Sequence, residues 1–134
     1  EFHFEDKVYK LSPWTYGVQE KYETFLEGQV FRKIKRHRAL LTSDEYDDLL
    51  RATTRDVAAG VYTFGSSLVA ESLNSLSNMK RMILIMIQDN HPQEGLELVD
   101  RIVADEAAFK ELMARMSAAN SDPNATTPAV PQAG

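Results

Sequence analysis

The sequence predicts a mainly α-helical fold in which an N-terminal β-hairpin packs on a bundle of about five or six helices. Three observations lead to this prediction. Two short runs that alternate apolar and polar residues open the chain, apolar residues then recur at helical spacing, and proline, glycine or asparagine separates the periodic segments. The 134 residues can bury a core without disulfides or metals. We therefore assign residues 1–119 to one helical domain, and the Pro/Ala/Thr-rich residues 120–134 to a flexible tail with little to bury.

The first predicted element is a hairpin over residues 2–11. Its strands are Phe2-His3-Phe4 and Val8-Tyr9-Lys10-Leu11, joined by the polar loop Glu5-Asp6-Lys7. Pro13 follows and ends the second strand, because proline cannot donate a hydrogen bond to a strand ladder. An isolated hairpin is marginally stable, so this one must pack on helices or pair with another chain.

Helix one is predicted at about 18–41, where apolar residues form a stripe at helical spacing. His37 falls on the apolar side of this helix and is expected to be a core histidine. Helix two has a strong start signal, since Thr42 and Glu45 fit a capping box. Gly60 either ends helix two or lies in a close helix contact. The segment from Gly60 to Gly65 is accordingly either a break or a glycine-softened helix.

Four further helices complete the predicted bundle. Helix three is predicted at about 66–76 and helix four at about 78–88. Helix five is expected to begin near Pro92, because proline is favoured at the first helical position. Asp105 is expected to cap helix six, since aspartate is a preferred N-cap residue.

Residues 82–87 form the longest apolar run, six consecutive side chains on helix four. A surface helix needs only an apolar stripe, so this helix is either the central one or part of a subunit interface. The methionines in it are adaptable packing residues that also suit hydrophobic binding surfaces. The candidate protein-binding residues on this helix and on the hairpin are Met82, Ile83, Met86, Ile87, Phe2, Phe4, Val8 and Tyr9.

A basic cluster ends helix one and comprises Arg32, Lys33, Lys35, Arg36 and Arg38. Arg32, Lys35 and Arg36 share one helix face and are further binding candidates. The cluster is either a solvated helix end, where cations suit the helix dipole, or a site for an acidic protein surface. Nucleic acid is disfavoured because no aromatic residues interleave with the cations and the chain carries a net charge of −5.

The sequence contains no pattern typical of an enzyme or a metalloprotein. It has no cysteine, its three histidines lack the spacing of helical metal ligands, and it has neither a Gly-x-Ser-x-Gly elbow nor a phosphate-binding loop. We therefore predict no catalytic residues, no cofactor and no metal. No basic segment followed by an apolar segment opens the chain, and no apolar run approaches the ~20 residues of a membrane helix, so neither a signal peptide nor a membrane span is expected.

The order of these features resembles the tail assembly chaperones of tailed bacteriophages. The resemblance covers about residues 2–117 and rests on layout: the hairpin ending in Leu11-Ser12-Pro13, the glycine-bounded aromatic segment 60–65, the segment Ala70-Glu71-Ser72-Leu73-Asn74-Ser75-Leu76, and an apolar helix that ends in Asp89-Asn90-His91-Pro92. It implies a non-enzymatic protein of the host cell cytoplasm that takes part in virion assembly. Its implied partners are the hydrophobic helices of the tape measure protein and the tail tube protein.

Two other functions are compatible with the same residues. One is a structural or adaptor subunit of a phage particle, in which neighbouring subunits would hold the tail in place. The other is a protein-binding adaptor unrelated to phage, in which the basic cluster binds an acidic partner. The sequence is also compatible with a homo-oligomer, in which the acidic start of helix two, Asp44, Glu45, Asp47 and Asp48, meets the basic cluster of another subunit.

Overall fold

The structure, a computed structural model, describes residues 1–121 of the chain. Within this range it contains a two-stranded antiparallel hairpin and six α-helices, which confirms the predicted mainly α fold with an N-terminal hairpin. The part of the predicted tail from residue 122 onward lies outside the described residues. The elements in chain order are β1 (Phe2–Phe4), β2 (Lys7–Tyr9), α1 (Tyr16–Arg36), α2 (Ser43–Ala58), α3 (Ser67–Ser72), α4 (Leu76–Gln88), α5 (Leu96–Ala104) and α6 (Glu106–Ser121).

The hairpin turns its aromatic face toward the helices. Phe2 pairs with Tyr9 and Phe4 with Lys7, so the alternation of the strands places Phe2, Phe4 and Tyr9 on one side. These three side chains are buried, and β1 packs on α6. The connecting turn bends through Glu5, whose φ of 54° lies in the left-handed region. The hairpin thus obtains from α6 the packing that it lacks alone.

Helix α1 ends five residues earlier than predicted. It stops at Arg36, and a short 3₁₀ helix, Arg38–Leu40, leads into α2. The N–H of His37 donates to the carbonyls of Lys33 and Ile34, each at 3.2 Å, which closes the last turn. The expectation of a core histidine is wrong: His37 is exposed, because the helix ends before it and the face carrying Ile34 does not extend to it.

The capping box at the start of α2 is confirmed. The N–H of Glu45 donates to Thr42 Oγ1 at 3.1 Å, and the N–H of Thr42 donates to Glu45 Oε1 at 2.9 Å. At the other end α2 stops at Ala58, and Gly60 and Gly65 adopt φ values of 79° and 95°. These left-handed conformations suit glycine, so the segment between them is a break rather than a softened helix, and Gly60 ends α2.

The later helices are present, with shifted limits. The third is shorter than predicted and the fourth begins two residues earlier. The fifth begins at Leu96 rather than near Pro92, because residues 91–95 form a turn in which the N–H of Glu94 donates to the His91 carbonyl at 3.1 Å and Gln88 Nε2 donates to the Glu94 carbonyl at 2.8 Å. The cap of α6 is confirmed, since the N–H of Ala108 donates to Asp105 Oδ1 at 3.1 Å.

The hydrophobic core forms around α4. Helices α1 and α5 both pack on α4, and the core extends from the hairpin to α6. Gln29 Nε2 donates to Asn78 Oδ1 at 3.0 Å near the start of α4, whereas Lys21 lies 3.9 Å from Asp89 at its end. The two helices therefore run antiparallel, and the last two turns of α1 extend past the start of α4.

Candidate protein-binding surfaces

The apolar run of α4 is the centre of the core. All six side chains from 82 to 87 are buried, including the four binding candidates Met82, Ile83, Met86 and Ile87. Of the two environments compatible with the sequence, the central helix is therefore the one found within this chain. A partner that contacts these four side chains would have to open the bundle, so they form no accessible surface in this structure.

The hairpin candidates divide into three buried residues and one exposed residue. Phe2, Phe4 and Tyr9 belong to the core, and the rings of Phe2 and Phe4 stack with centroids 6.3 Å apart. Val8 points the other way and is 48% exposed. Among these four residues, Val8 alone is available to a partner without unfolding the hairpin.

A serine, an aspartate and a histidine meet where the hairpin joins the end of α4. Ser12 Oγ donates to Asp89 Oδ2, and Asn90 Nδ2 donates to Ser12 Oγ at 2.8 Å. His91 Nε2 accepts the N–H of Lys10 at 2.9 Å, so the imidazole is bonded to the backbone and not to Ser12. This arrangement differs from the serine–histidine contact that acyl transfer requires, and it anchors the hairpin to α4. The sequence analysis assigned Asp89, Asn90 and His91 only to the end of an apolar helix, and Ser12 only to the end of the hairpin.

A basic groove forms where α1 extends past the start of α4. Its volume is about 620 Å³, and its cations come from two helices: Arg32, Lys33 and Arg36 from α1, and Lys80 and Arg81 from α4. Lys35, which the sequence placed with Arg32 and Arg36, is exposed and does not line the groove. Sequence reasoning missed Lys80 and Arg81. Lys80 and Arg81 are adjacent basic residues in the sequence, but only the antiparallel packing of α1 and α4 places them beside the cations of α1.

Phe25 holds two of the guanidinium groups in the basic groove. The Cζ atoms of Arg32 and Arg81 lie 6.0 and 5.1 Å from the centre of its ring, which are cation–π distances. Lys80 Nζ lies 3.0 Å from Asp100, a carboxylate on α5. The other four cations of the groove form no ion pair within residues 1–121. The groove therefore presents positive charge that the described chain leaves unneutralised.

An acidic tip lies at the start of α2, close to the basic groove along the chain. It consists of Asp44, Glu45, Asp47 and Asp48, all exposed and none in an ion pair within the described residues. Hydrogen bonds from Thr42 hold the pKa of Glu45 below its ordinary value. Part of this charge also suits the helix N-terminus, where negative groups are stabilising.

We expect Thr42→Ala to remove about 1 kcal/mol of stability, the usual effect of losing an N-cap side chain. The pKa of Glu45 should then rise only part of the way toward its ordinary value, because the larger effect comes from the backbone N–H of Thr42, which remains, and only the side-chain contribution of Thr42 is lost. A lowered carboxyl pKa stabilises the fold above the unfolded-state pKa of about 4.3 and ceases to do so as the pH falls through the folded-state pKa. Chemical denaturation and an NMR titration of Glu45 in both proteins measure the two effects. An unchanged free energy of unfolding in the variant would contradict the capping interaction.

Residues 30–58 comprise the end of α1, the 3₁₀ helix and α2, and we call them the arm. The arm carries an apolar face that the core does not cover. Helix α2 packs chiefly on α1, and its apolar side chains lie outside the core cluster and outside the residues packed on that cluster. Leu49 is 40% exposed, and Leu50 and Val57 are partly buried. We call the side chains of Leu49, Leu50 and Val57, with Val30 and Phe31 of α1, the arm face.

Other kinds of site have little support in the described part of the chain. Residues 1–121 contain no group of three or more histidine, aspartate or glutamate residues placed to hold a metal ion. None of the helices in this range has both the length and the apolar composition of a membrane span. Comparison with the models of known protein families, with curated proteins and with solved structures gave no match to this chain.

Proposed function

We propose that this protein is a non-enzymatic assembly chaperone that covers the hydrophobic helices of a partner protein with its arm face. The layout resemblance to phage tail assembly chaperones makes a tape measure protein the proposed partner, with the tail tube protein as the second component. In this proposal the surface that binds the partner is the arm face, and the apolar run of α4 supports the fold.

The proposal rests on one contrast between two helices. Helix α2 has sixteen residues and buries one of them, Thr53, although its apolar residues keep helical period. Helix α4 has thirteen residues and buries seven. Amphipathic helices in globular proteins are stabilised mainly by packing of the apolar face, so a helix that buries a single residue is suited to accept another helix.

The arm face has the form required for helix-in-groove binding. Helices α1 and α2 pack on each other along one line of contact, and the apolar residues Leu49, Leu50 and Val57 of α2 recur at helical spacing. A third helix placed over this line would contact Leu49 and Val57, which lie two turns apart on α2, and Phe31 on α1. Fully burying a fully exposed leucine or valine contributes about 1.5–3 kcal/mol, and each side chain of the arm face, which α1 and α2 already cover in part, would contribute a fraction of this on binding.

Coexpression with the tape measure protein of the same genome tests the proposal. The tape measure protein, expressed alone, is expected to aggregate, and coexpression with this chain should keep it soluble in a complex that survives purification. The double substitution Leu49→Ser and Val57→Ser should reduce the soluble yield at least several-fold, because it makes the arm face polar. The measurement is the amount of soluble tape measure protein together with its copurification.

Leu76→Ser provides the matched control. Leu76 is also a leucine with more than a third of its surface exposed, but it lies at the start of α4 and outside the arm face. The control should retain the solubilising activity, and circular dichroism should show that all variants keep the wild-type helix content. Equal activity of the double variant and the wild type would contradict the proposal, as would a genome that encodes no tape measure protein.

A further inference from the structure

Two charge patches of opposite sign, the basic groove and the acidic tip, lie near the connection between α1 and α2. Arg36 of the basic groove ends α1, and Thr42, which caps the helix of the acidic tip, follows six residues later. Four cations of the groove and four carboxylates of the tip make no ion pair within the described residues. Each patch is therefore available to an external group of opposite charge.

The two patches also differ in shape. The groove is a concave corner between the last turns of α1, the start of α4, and α5. The tip is the outer end of a helical hairpin, so it projects from the molecule. Leu40 lies in the 3₁₀ helix between the two patches and is 81% exposed, more than any other large hydrophobic side chain among the described residues. A projecting acidic element and a concave basic one, separated by an exposed leucine, are complementary in form and charge.

We propose that the basic groove of one copy of this protein receives the acidic tip of a second copy, and that the two contacts are reciprocal across a two-fold axis. In such an isologous dimer the groove of each subunit meets the tip of the other, and both Leu40 side chains become buried near the axis. The groove is completed by carboxylates that the partner subunit contributes. This inference is independent of the partner bound by the arm face.

The ring chemistry of the groove favours a protein carboxylate over a nucleic acid. Binding of single-stranded nucleic acid uses aromatic faces on which bases stack. Phe25 is the aromatic residue of the groove, and its ring already contacts the guanidinium groups of Arg32 and Arg81 and the ring of Tyr22. Guanidinium groups fixed in this way are suited to bind carboxylates with two parallel hydrogen bonds.

A mixing experiment with two charge-reversed variants tests the dimer. The groove variant combines Arg32→Glu, Lys33→Glu and Arg36→Glu. The tip variant combines Asp44→Lys, Asp47→Lys and Asp48→Lys, and it retains Glu45 so that the capping box remains. Light scattering after size-exclusion chromatography, over a wide range of concentration, should show a dimer for the wild type and dimerisation weakened by roughly tenfold or more for each variant alone. An equimolar mixture of the two variants should dimerise again, because each reversed patch then meets a patch of opposite charge.

A second measurement uses the wild-type chain and does not depend on the variants folding. Carbodiimide joins a lysine amine directly to a carboxylate that it contacts. In a mixture of isotopically labelled and unlabelled protein, mass spectrometry should find Lys33 joined to Asp47 or Asp48 of the other isotopic form.

The mixing experiment has its own control for folding. Circular dichroism of both charge-reversed variants establishes that loss of the dimer is not loss of the fold.

Four outcomes would overturn the inference. The first is a wild-type protein that stays monomeric at every concentration and gives no cross-link between copies. The second is a dimer that neither charge reversal weakens, which would place the interface elsewhere. The third is a pair of folded, monomeric variants that do not associate when mixed. If the monomer instead binds a labelled dT oligonucleotide and the groove variant loses that binding, the groove is a nucleic-acid site and the inference is likewise wrong.

Discussion

Replacing Ile83 by alanine is expected to lower the free energy of unfolding by about 2–5 kcal/mol, because the substitution removes a fully buried side chain and leaves a cavity. Ile83 lies on α4 with none of its surface exposed, and α4 is the helix on which α1 and α5 pack. Native domains are stable by only about 5–15 kcal/mol, so this single change should remove a large part of the total. Urea denaturation followed by circular dichroism measures the effect.

Leu76→Ala is the matched control on the same helix. Leu76 begins α4 and is 52% exposed, so its truncation should change the stability by less than about 0.5 kcal/mol. Equal losses for the two substitutions would contradict the central position of α4. The comparison also bears on binding experiments, because Ile83 is a core residue and any binding defect of its variant has to be compared with its loss of stability.

Phe2→Ala is expected to cost about 3–5 kcal/mol, which is the usual loss for truncating a buried phenylalanine. The ring of Phe2 is fully buried, stacks near Phe4, and belongs to the strand that packs on α6. The expected loss is therefore that of a core residue, although the position lies at the edge of the described chain. Urea denaturation followed by the fluorescence of Trp14, the single tryptophan, measures it.

His3→Ala tests the alternation of the same strand. His3 lies between Phe2 and Phe4 and its side chain is exposed on the other face of the hairpin. Its replacement should leave the stability within about 0.5 kcal/mol of the wild type. If Phe2→Ala were as mild as His3→Ala, the hairpin would contribute nothing to the cooperative core.

Local features of the fold were predictable where a few neighbouring residues determine the geometry. The capping box needs only Thr42 and Glu45, the cap of α6 needs Asp105, and the hairpin follows from alternation around a polar turn. The limits of α1 and α5 were not predictable in this way. Both depend on how far the chain must travel before the next helix can pack, which is a property of the whole bundle.

The candidate surfaces were less predictable than the fold. The sequence of an apolar run such as 82–87 is the same whether other helices of the chain or a second subunit cover it. A sequence pattern shows which residues are apolar, but it does not show which element packs on them. Arg32 and Arg36 were singled out from the sequence, but Lys80 joins them only because α1 and α4 run antiparallel. The arm face was missed because the apolar residues of α2 have the pattern of an ordinary core helix, and only the structure shows that they lie outside the core cluster.

The contact between β1 and α6 has a consequence for the synthesis of the protein. Phe2 and Phe4 are translated roughly one hundred residues before the helix that covers them. Protein synthesis proceeds at about 5–20 residues per second, so α6 is completed roughly 5–20 s or more after the hairpin. During this interval its aromatic side chains are exposed in the crowded cell. The nascent chain is therefore expected to be a client of general folding factors such as ribosome-bound chaperones until α6 has emerged.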